Sequence, residues 1–316
     1  MVVSQLISPS GDDKMQYKLS GIIILAILTV TCNNAKPDFN GEKAYSYLVK
    51  QCDIGTREPG SPGHAAAKKM YIDFFSQFGD TVFQQAFDQD IEIDSVTYRL
   101  TNIISGFQTK KGKPLLIGAH WDTRPRAEKD PNPANRNKPI IGANDGASGV
   151  AVLMHLAELI ANKELDRAVY LVLFDGEDYG YQGDNTYFCL GSKYFVKNMP
   201  IPKPKQVIIV DMIGDAQLSI PMERFSYRSN SGLMKKLWRM AEERGYDQYE
   251  YHLGQFIYDD HVPFIRAGIK AIDLIDFHYP NRHVNYWHTH QDTPDKCSPE
   301  SLESVGQVLY DYITGE

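Results

Sequence analysis

Hydrophobic and polar residues alternate along this chain in two different periods. Short runs of β-branched and large apolar residues, bounded by polar ones, recur at Pro114–Ala119 (PLLIGA), Ala168–Phe174 (AVYLVLF), Gln206–Met212 (QVIIVDM) and Lys270–Ile275 (KAIDLI). Each has the length and composition of a buried strand. Between them lie longer stretches with helical spacing, at Ser148–Ala161, Gly232–Arg244 and Pro299–Ile313. A helix is also expected over Gly41–Gln51, and an amphipathic one over His64–Gly79, with Met70, Phe74 and Phe75 on one side. A strand pair is expected at Thr81–Phe87 and Ser95–Ser105. Strands that alternate with helices predict an α/β fold, a three-layer sandwich whose central sheet is mixed, mainly parallel and flanked by helices. No internal repeat or linker divides it.

The first 35 residues break this pattern. Gly21–Val30 (GIIILAILTV) is apolar, follows Lys14 and Lys18, and ends at Thr31-Cys32-Asn33. That run is short for a membrane span and fits an export signal, and Met15 is a natural start for it. Cys32 resembles a lipoprotein processing site. The expectation is a signal over residues 1–32 and a single catalytic domain over 33–316, in an exported protein: periplasmic, anchored to the outer membrane or at the cell surface. Any membrane contact would come through the N-terminal lipid.

Composition narrows the partners. With 33 basic and 40 acidic residues, a net charge of −7 and no basic stripe interleaved with aromatics, nucleic acid is not an expected partner. Apart from Cys32, the cysteines are Cys52, Cys189 and Cys297. Their number and spacing give neither a disulfide framework nor a thiolate zinc site, and they read as small buried thiols with room for one bridge.

The chemistry sits where the strands end. His120-Trp121-Asp122 follows the first of the four buried strands, and Asp145 lies at the mouth of the next helix. Asp175-Gly176-Glu177-Asp178 follows the second, Asp211 lies at the end of the third, and Trp287-His288 comes after the fourth. Taken singly, Asp145 could cap its helix, His120 and Asp122 could satisfy each other, Glu177 and Asp178 could be solvated, and His288 could be a core histidine. Taken together they converge on the sheet edge where open α/β folds bind ligands, and they suit zinc held by nitrogen and carboxylate.

In this order the residues resemble the ligand set of zinc aminopeptidases, and within that superfamily the chain is more similar to the glutaminyl cyclases. Arg57-Glu-Pro-Gly-Ser-Pro-Gly63, Thr101-Asn-Ile-Ile104, Gly191-Ser192, Asp259-Asp260-His261-Val262-Pro263-Phe264 and Trp287-His288-Thr289 each resemble a motif of that family. The resemblance implies one zinc per chain, bound by Asp145, Asp178 and His288, with Glu177 as the acid/base. It implies hydrogen bonds from Asp259 and Asp211 to that glutamate, and Trp287 in the pocket wall. His120 and Asp122 match the second-metal corner of the aminopeptidases. The loop Tyr179–Cys189 (YGYQGDNTYFC) lacks the tryptophan that animal cyclases carry there, so Phe277 or Tyr279 is expected to stand in. The implied reaction is cyclisation of N-terminal glutamine in peptides or proteins to pyroglutamate with loss of ammonia. The alternative is removal of N-terminal residues by a zinc aminopeptidase.

Overall fold

The computed structural model describes residues 39–315. The N-terminal segment expected to direct export, with Cys32, lies outside them. In chain order the helices are α1 (Gly41–Asp53), α2 (Pro62–Phe75), α3 (Ala147–Ile160), α4 (Leu190–Lys197), α5 (Arg224–Arg244), α6 (His261–Arg266) and α7 (Pro299–Thr314). The strands are β1 (Thr81–Ile91), β2 (Val96–Phe107), β3 (Leu115–His120), β4 (Val169–Phe174), β5 (Gln206–Asp211), β6 (Ile220–Met222), β7 (Tyr249–Leu253) and β8 (Ala271–Ile275). Among the described residues no helix is long and apolar enough to cross a membrane.

Six strands form one sheet in the order β1-β2-β4-β3-β5-β8. β4, β3, β5 and β8 run parallel, and β2 and β1 close one side antiparallel. β6 and β7 form a separate two-stranded parallel ribbon. All residues of β3, β4 and β8 are buried, as expected for strands covered on both faces. The two-residue period sorts their side chains. Ile117, Leu171, Leu173, Ile208 and Val210 join a core with residues of α1, α2, α3, α5 and α7. Leu116, Val172, Phe174, Val207 and Ile209 join Phe195 of α4 and Phe264 of α6 on the other face. This is the expected three-layer sandwich, with a mixed and mainly parallel sheet.

Helix α3 is buried along its whole length except at Glu158 and Leu159, which is why its sequence is apolar all round. Helix α5 begins eight residues before the expected Gly232, because the Glu223 carboxylate accepts hydrogen bonds from the Phe225 and Ser226 backbone NH groups and caps it. A non-helical Asn230 kinks it between the cap and the periodic stretch. Helix α2 stops at Phe75, short of Gly79. Helices α4 and α6 are too short for a periodic signal. Cys52, Cys189 and Cys297 are free and buried, so no disulfide is present among the described residues.

The order of β4, β3 and β5 sets the location of the site. After β3 the chain forms β4 on one side of it and then β5 on the other, so the sheet changes direction at β3. The crevice at such a switch point opens beyond the carboxyl ends of the strands. His120 ends β3 and Asp211 ends β5 at that edge.

Candidate active site

Three ligand atoms, one each from Asp145, Asp178 and His288, lie within 4.8 Å of one another, and all three residues are buried. His288 Nε2 is 3.4 Å from Asp178 Oδ1 and 3.7 Å from Asp145 Oδ2. The other ring nitrogen, Nδ1, donates to Glu128 Oε1 at 2.7 Å, which leaves the Nε2 lone pair facing the two aspartates. Asp178 Oδ2 is buried without a hydrogen-bond partner. Burial and then the Asp178 charge push the Asp145 carboxyl up to about 7. An orphaned carboxylate oxygen, an imidazole lone pair and a second aspartate fit a tetrahedral zinc with one position left for substrate.

The backbone around these three residues is tied from several directions. Asp145 does not cap α3, whose cap position is Gly146 at φ 101°, without a side-chain bond. Its side chain is thus left for the site. Asp292 carries the turn, accepting from Asn144 N at 2.7 Å and Asp145 N at 3.0 Å. The guanidinium of Arg57 donates to the carbonyls of Ile141 and Gly142 at 3.0 and 2.9 Å, which anchors the Arg57–Gly63 turn to the same loop. Asp122 accepts from Glu177 N and Asp178 N at 3.0 and 3.2 Å, so it positions both candidate residues. Arg124 donates to Asp178 Oδ1 at 2.6 Å and grips both oxygens of Glu128 at 2.7 and 2.8 Å. Burial would raise the Asp178 carboxyl, but Arg124 and then His288 hold it far below the usual carboxylate range. Arg124, Glu128 and Asp292 were not among the expected site residues. General chemistry asks for a carboxylate behind a metal-binding histidine, but Glu128 lies 160 positions from His288, and no local signal links them.

Glu177 and Asp259 share the cavity of about 50 Å³ above this triad. Burial pushes the Glu177 carboxyl well above its usual range, and the Asp259 charge adds to the effect. Asp259 is pushed up to about 6, first by burial and then by Asp211. The hydrogen bonds expected from Asp259 and Asp211 to Glu177 are not formed. Asp211 Oδ1 accepts from His120 Nε2 at 3.0 Å, and Asp259 Oδ1 accepts from the Asp260 backbone NH. The partner of Glu177 Oε1 is instead the Cys189 thiol at 3.3 Å. Burial raises that thiol well above its usual range, so it stays protonated and donates. His120 Nε2 also lies 3.2 Å from Asp145 Oδ1, so the imidazole occupies the corner between Asp145 and Asp211.

The pocket wall is aromatic. Trp287 and Phe277 pack with ring centroids 4.9 Å apart, and Trp287 lies 3.7 Å from the His288 ring. Both line the cavity as expected. Tyr279 does not: it is fully buried and its hydroxyl donates to Asp292 at 3.3 Å. The third wall is Phe188, from the loop without tryptophan. It packs so closely on Gly180 that a Cβ there would come within 2.0 Å of the ring. Among the described residues five non-glycine positions have positive φ, and three of them, Cys189, Met212 and His288, lie at this site, each such conformation being held only by its surroundings.

The comparisons agree with this geometry. The bovine glutaminyl-peptide cyclotransferase is 24% identical over 300 residues, which cover 81% of this chain and 77% of that protein. The crystal structure of Porphyromonas gingivalis glutaminyl cyclase superposes with a TM-score of 0.84 at 32% identity, covering 88% of this chain and 98% of that one. A structure described as a leucine aminopeptidase precursor from Bacteroides thetaiotaomicron gives 0.83 at 33% identity, covering 89% and 98%. The profile of peptidase family M28 matches residues 102–313, from the strand beside β4 to the end of α7. With Asp145, Asp178 and His288 gathered at the carboxyl edge of this sheet and the match running through all three, the chain belongs to peptidase family M28 and resembles its glutaminyl cyclases.

Proposed function

We propose that this chain is a glutaminyl-peptide cyclotransferase that converts N-terminal glutamine of peptides or proteins to pyroglutamate, with one zinc per chain held by Asp145, Asp178 and His288. The observation that carries the reading is the pair of buried carboxyls, Glu177 and Asp259, facing a cavity of about 50 Å³ walled by Phe188, Phe277 and Trp287. Such a cavity has room for one side chain, and acids on its wall suit the free amine that a glutamine substrate carries beside it.

When bound, the zinc supplies a Lewis acid that polarises the substrate's γ-carbonyl and stabilises the negative charge that develops on its oxygen. The chain's own residues handle position and protons. Cyclisation forms one bond, from the α-amine nitrogen to the γ-carbonyl carbon, and breaks the bond from that carbon to the amide nitrogen. Glu177 takes a proton from the attacking amine and returns it to the departing nitrogen, so ammonia leaves and no water is consumed. A glutamate raised by burial holds a proton more tightly than an ordinary carboxyl, so it takes one from the amine more readily. Cys189 holds Glu177 Oε1, and Asp259 faces the amine. Phe188, Phe277 and Trp287 exclude water that would divert the reaction to hydrolysis.

The second reading is an aminopeptidase. It is favoured by one observation: His120, Asp145 and Asp211 also bring ligand atoms within 4.8 Å of one another, a corner that could take a second cation. The one-zinc reading is supported by the bonds His120 makes there to both carboxylates. Ammonia release from a Gln-initiated dipeptide amide, measured beside amine release from Leu and Ala anilides, separates the two. Ammonia without anilide cleavage is expected; the reverse, with two tightly bound zincs per chain, would replace the cyclase by the peptidase.

We infer export from the N-terminal segment alone, with Cys32 as the candidate lipid-bearing residue. Mass spectrometry of the mature N-terminus should find an acylated Cys32, and an unprocessed chain would overturn that.

A further inference from the structure

A second cavity adjoins the active site. Ile257, Ile275 and Phe277 line both, and the second, of about 150 Å³, takes its other apolar lining from Pro221 and Leu253 at the β6–β7 ribbon. Apart from Arg282 at its edge, the polar side chains that line it already have partners. Glu223 accepts from Ile257 N at 3.0 Å as well as from its helix cap, and it faces His261 at 3.2 Å. His252 lies 3.1 Å from Glu250, and Gln255 is hydrogen-bonded to His278 at 3.0 Å. What remains beside the site is Arg282 and an apolar surface of Pro221, Leu253, Ile257, Ile275 and Phe277. Leu253 is 47% exposed there, one of five large apolar side chains that the described residues leave open.

We propose that this groove is a subsite for the side chain of the residue that follows the N-terminal glutamine, and that it selects an apolar one; the assignment rests on the cyclase reading. A glutamine whose carbonyl reaches Asp145, Asp178 and His288 while its amine faces Glu177 and Asp259 fills the smaller cavity. The next residue's Cα is only about 3.8 Å further along the chain. Its side chain then meets the wall of Ile257, Ile275 and Phe277, whose neighbouring surface is the groove. An apolar side chain covers Leu253 and Pro221 there, whereas glycine leaves them in water.

The test uses the zinc-loaded chain and compares kcat/KM for ammonia release from Gln-Leu-amide and Gln-Gly-amide. Wild type should prefer the leucine peptide on the order of tenfold, the size of discrimination one apolar pocket supplies. Leu253→Asp should bring the ratio close to one with Gln-Gly-amide turnover unchanged, and Leu253→Phe should keep the preference. Because the ratio is taken within one enzyme, a general loss of folded protein in a variant does not alter it. Equal turnover of the two peptides by wild type, or a preference that Leu253→Asp leaves intact, overturns the subsite while the cyclase stands. Absence of ammonia from both peptides would overturn the cyclase reading and the subsite with it.

Discussion

Two groups of buried acids meet in this site and behave in opposite ways. Asp178 is as deeply buried as Glu177 and one residue away from it, yet its carboxyl is held far down while that of Glu177 is pushed up. The difference is the neighbour. Asp178 lies 2.6 Å from the Arg124 guanidinium and 3.4 Å from His288, whereas Glu177 faces Asp259 and receives only a neutral thiol. Burial penalises both charges, and only the one in direct contact with a guanidinium overcomes the penalty. A carboxylate held ionised suits a metal ligand, and one raised by burial suits a proton carrier. The chain places one of each at adjacent positions.

The largest disturbance of this contrast removes the metal corner. His288→Ala should lose zinc, measured by elemental analysis, and lower turnover by on the order of 10³-fold or more, since the charge stabilisation lost is several kcal/mol. Full zinc content in that variant would mean that the ligand set is wrong. Glu177→Gln attacks the proton corner alone. Zinc should stay, and turnover should drop by about 10²-fold or more.

Asp259→Ala tests the coupling within the proton corner. The Asp259 charge is one of the causes that raise Glu177, so deleting it should lower the glutamate's pKa. A base with a lower pKa is ionised at lower pH. The acidic limb of kcat/KM for Gln-initiated peptides should therefore move to lower pH, while the maximum rate falls as the amine loses its acidic neighbour. Superimposable profiles for the two proteins at equal zinc occupancy would show that the carboxyls do not interact.

Glu128→Gln sharpens the metal side. It weakens the acceptor behind His288 Nδ1 and one half of the Arg124 clamp, so zinc affinity should fall by roughly 10- to 100-fold in a chelator competition, with turnover restored by excess zinc. Cys189→Ala should do least. A neutral thiol contact worth about 1 kcal/mol predicts a loss of only a few-fold in kcat, and a larger effect would make the thiol part of the proton path.

The strands that carry the site, and the residues at their ends, were legible in the chain. Buried parallel strands are continuous apolar runs, so polar residues at their carboxyl ends stand out, and His120, Glu177, Asp178 and Asp211 were found in this way. Asp145 was ambiguous by itself, because a carboxylate at a helix mouth has a local use; the tertiary turn onto Asp292 removed that use. Phe188 could not be inferred from a loop of unremarkable composition, since only its packing on Gly180 brings it to the pocket. Tyr279 was a reasonable candidate by position, and its burial against Asp292 took it elsewhere.

Sequence alone determined the periods, hence the layers and the edge where chemistry could sit, because strand and helix patterns are set by neighbours within a few residues. Tertiary structure decided which acid has a cation beside it. Arg124 meets Asp178 across 54 positions and Glu128 meets His288 across 160. The protonation of a buried carboxyl depends on charges within a few ångströms in space, and separation along the chain does not enter that distance.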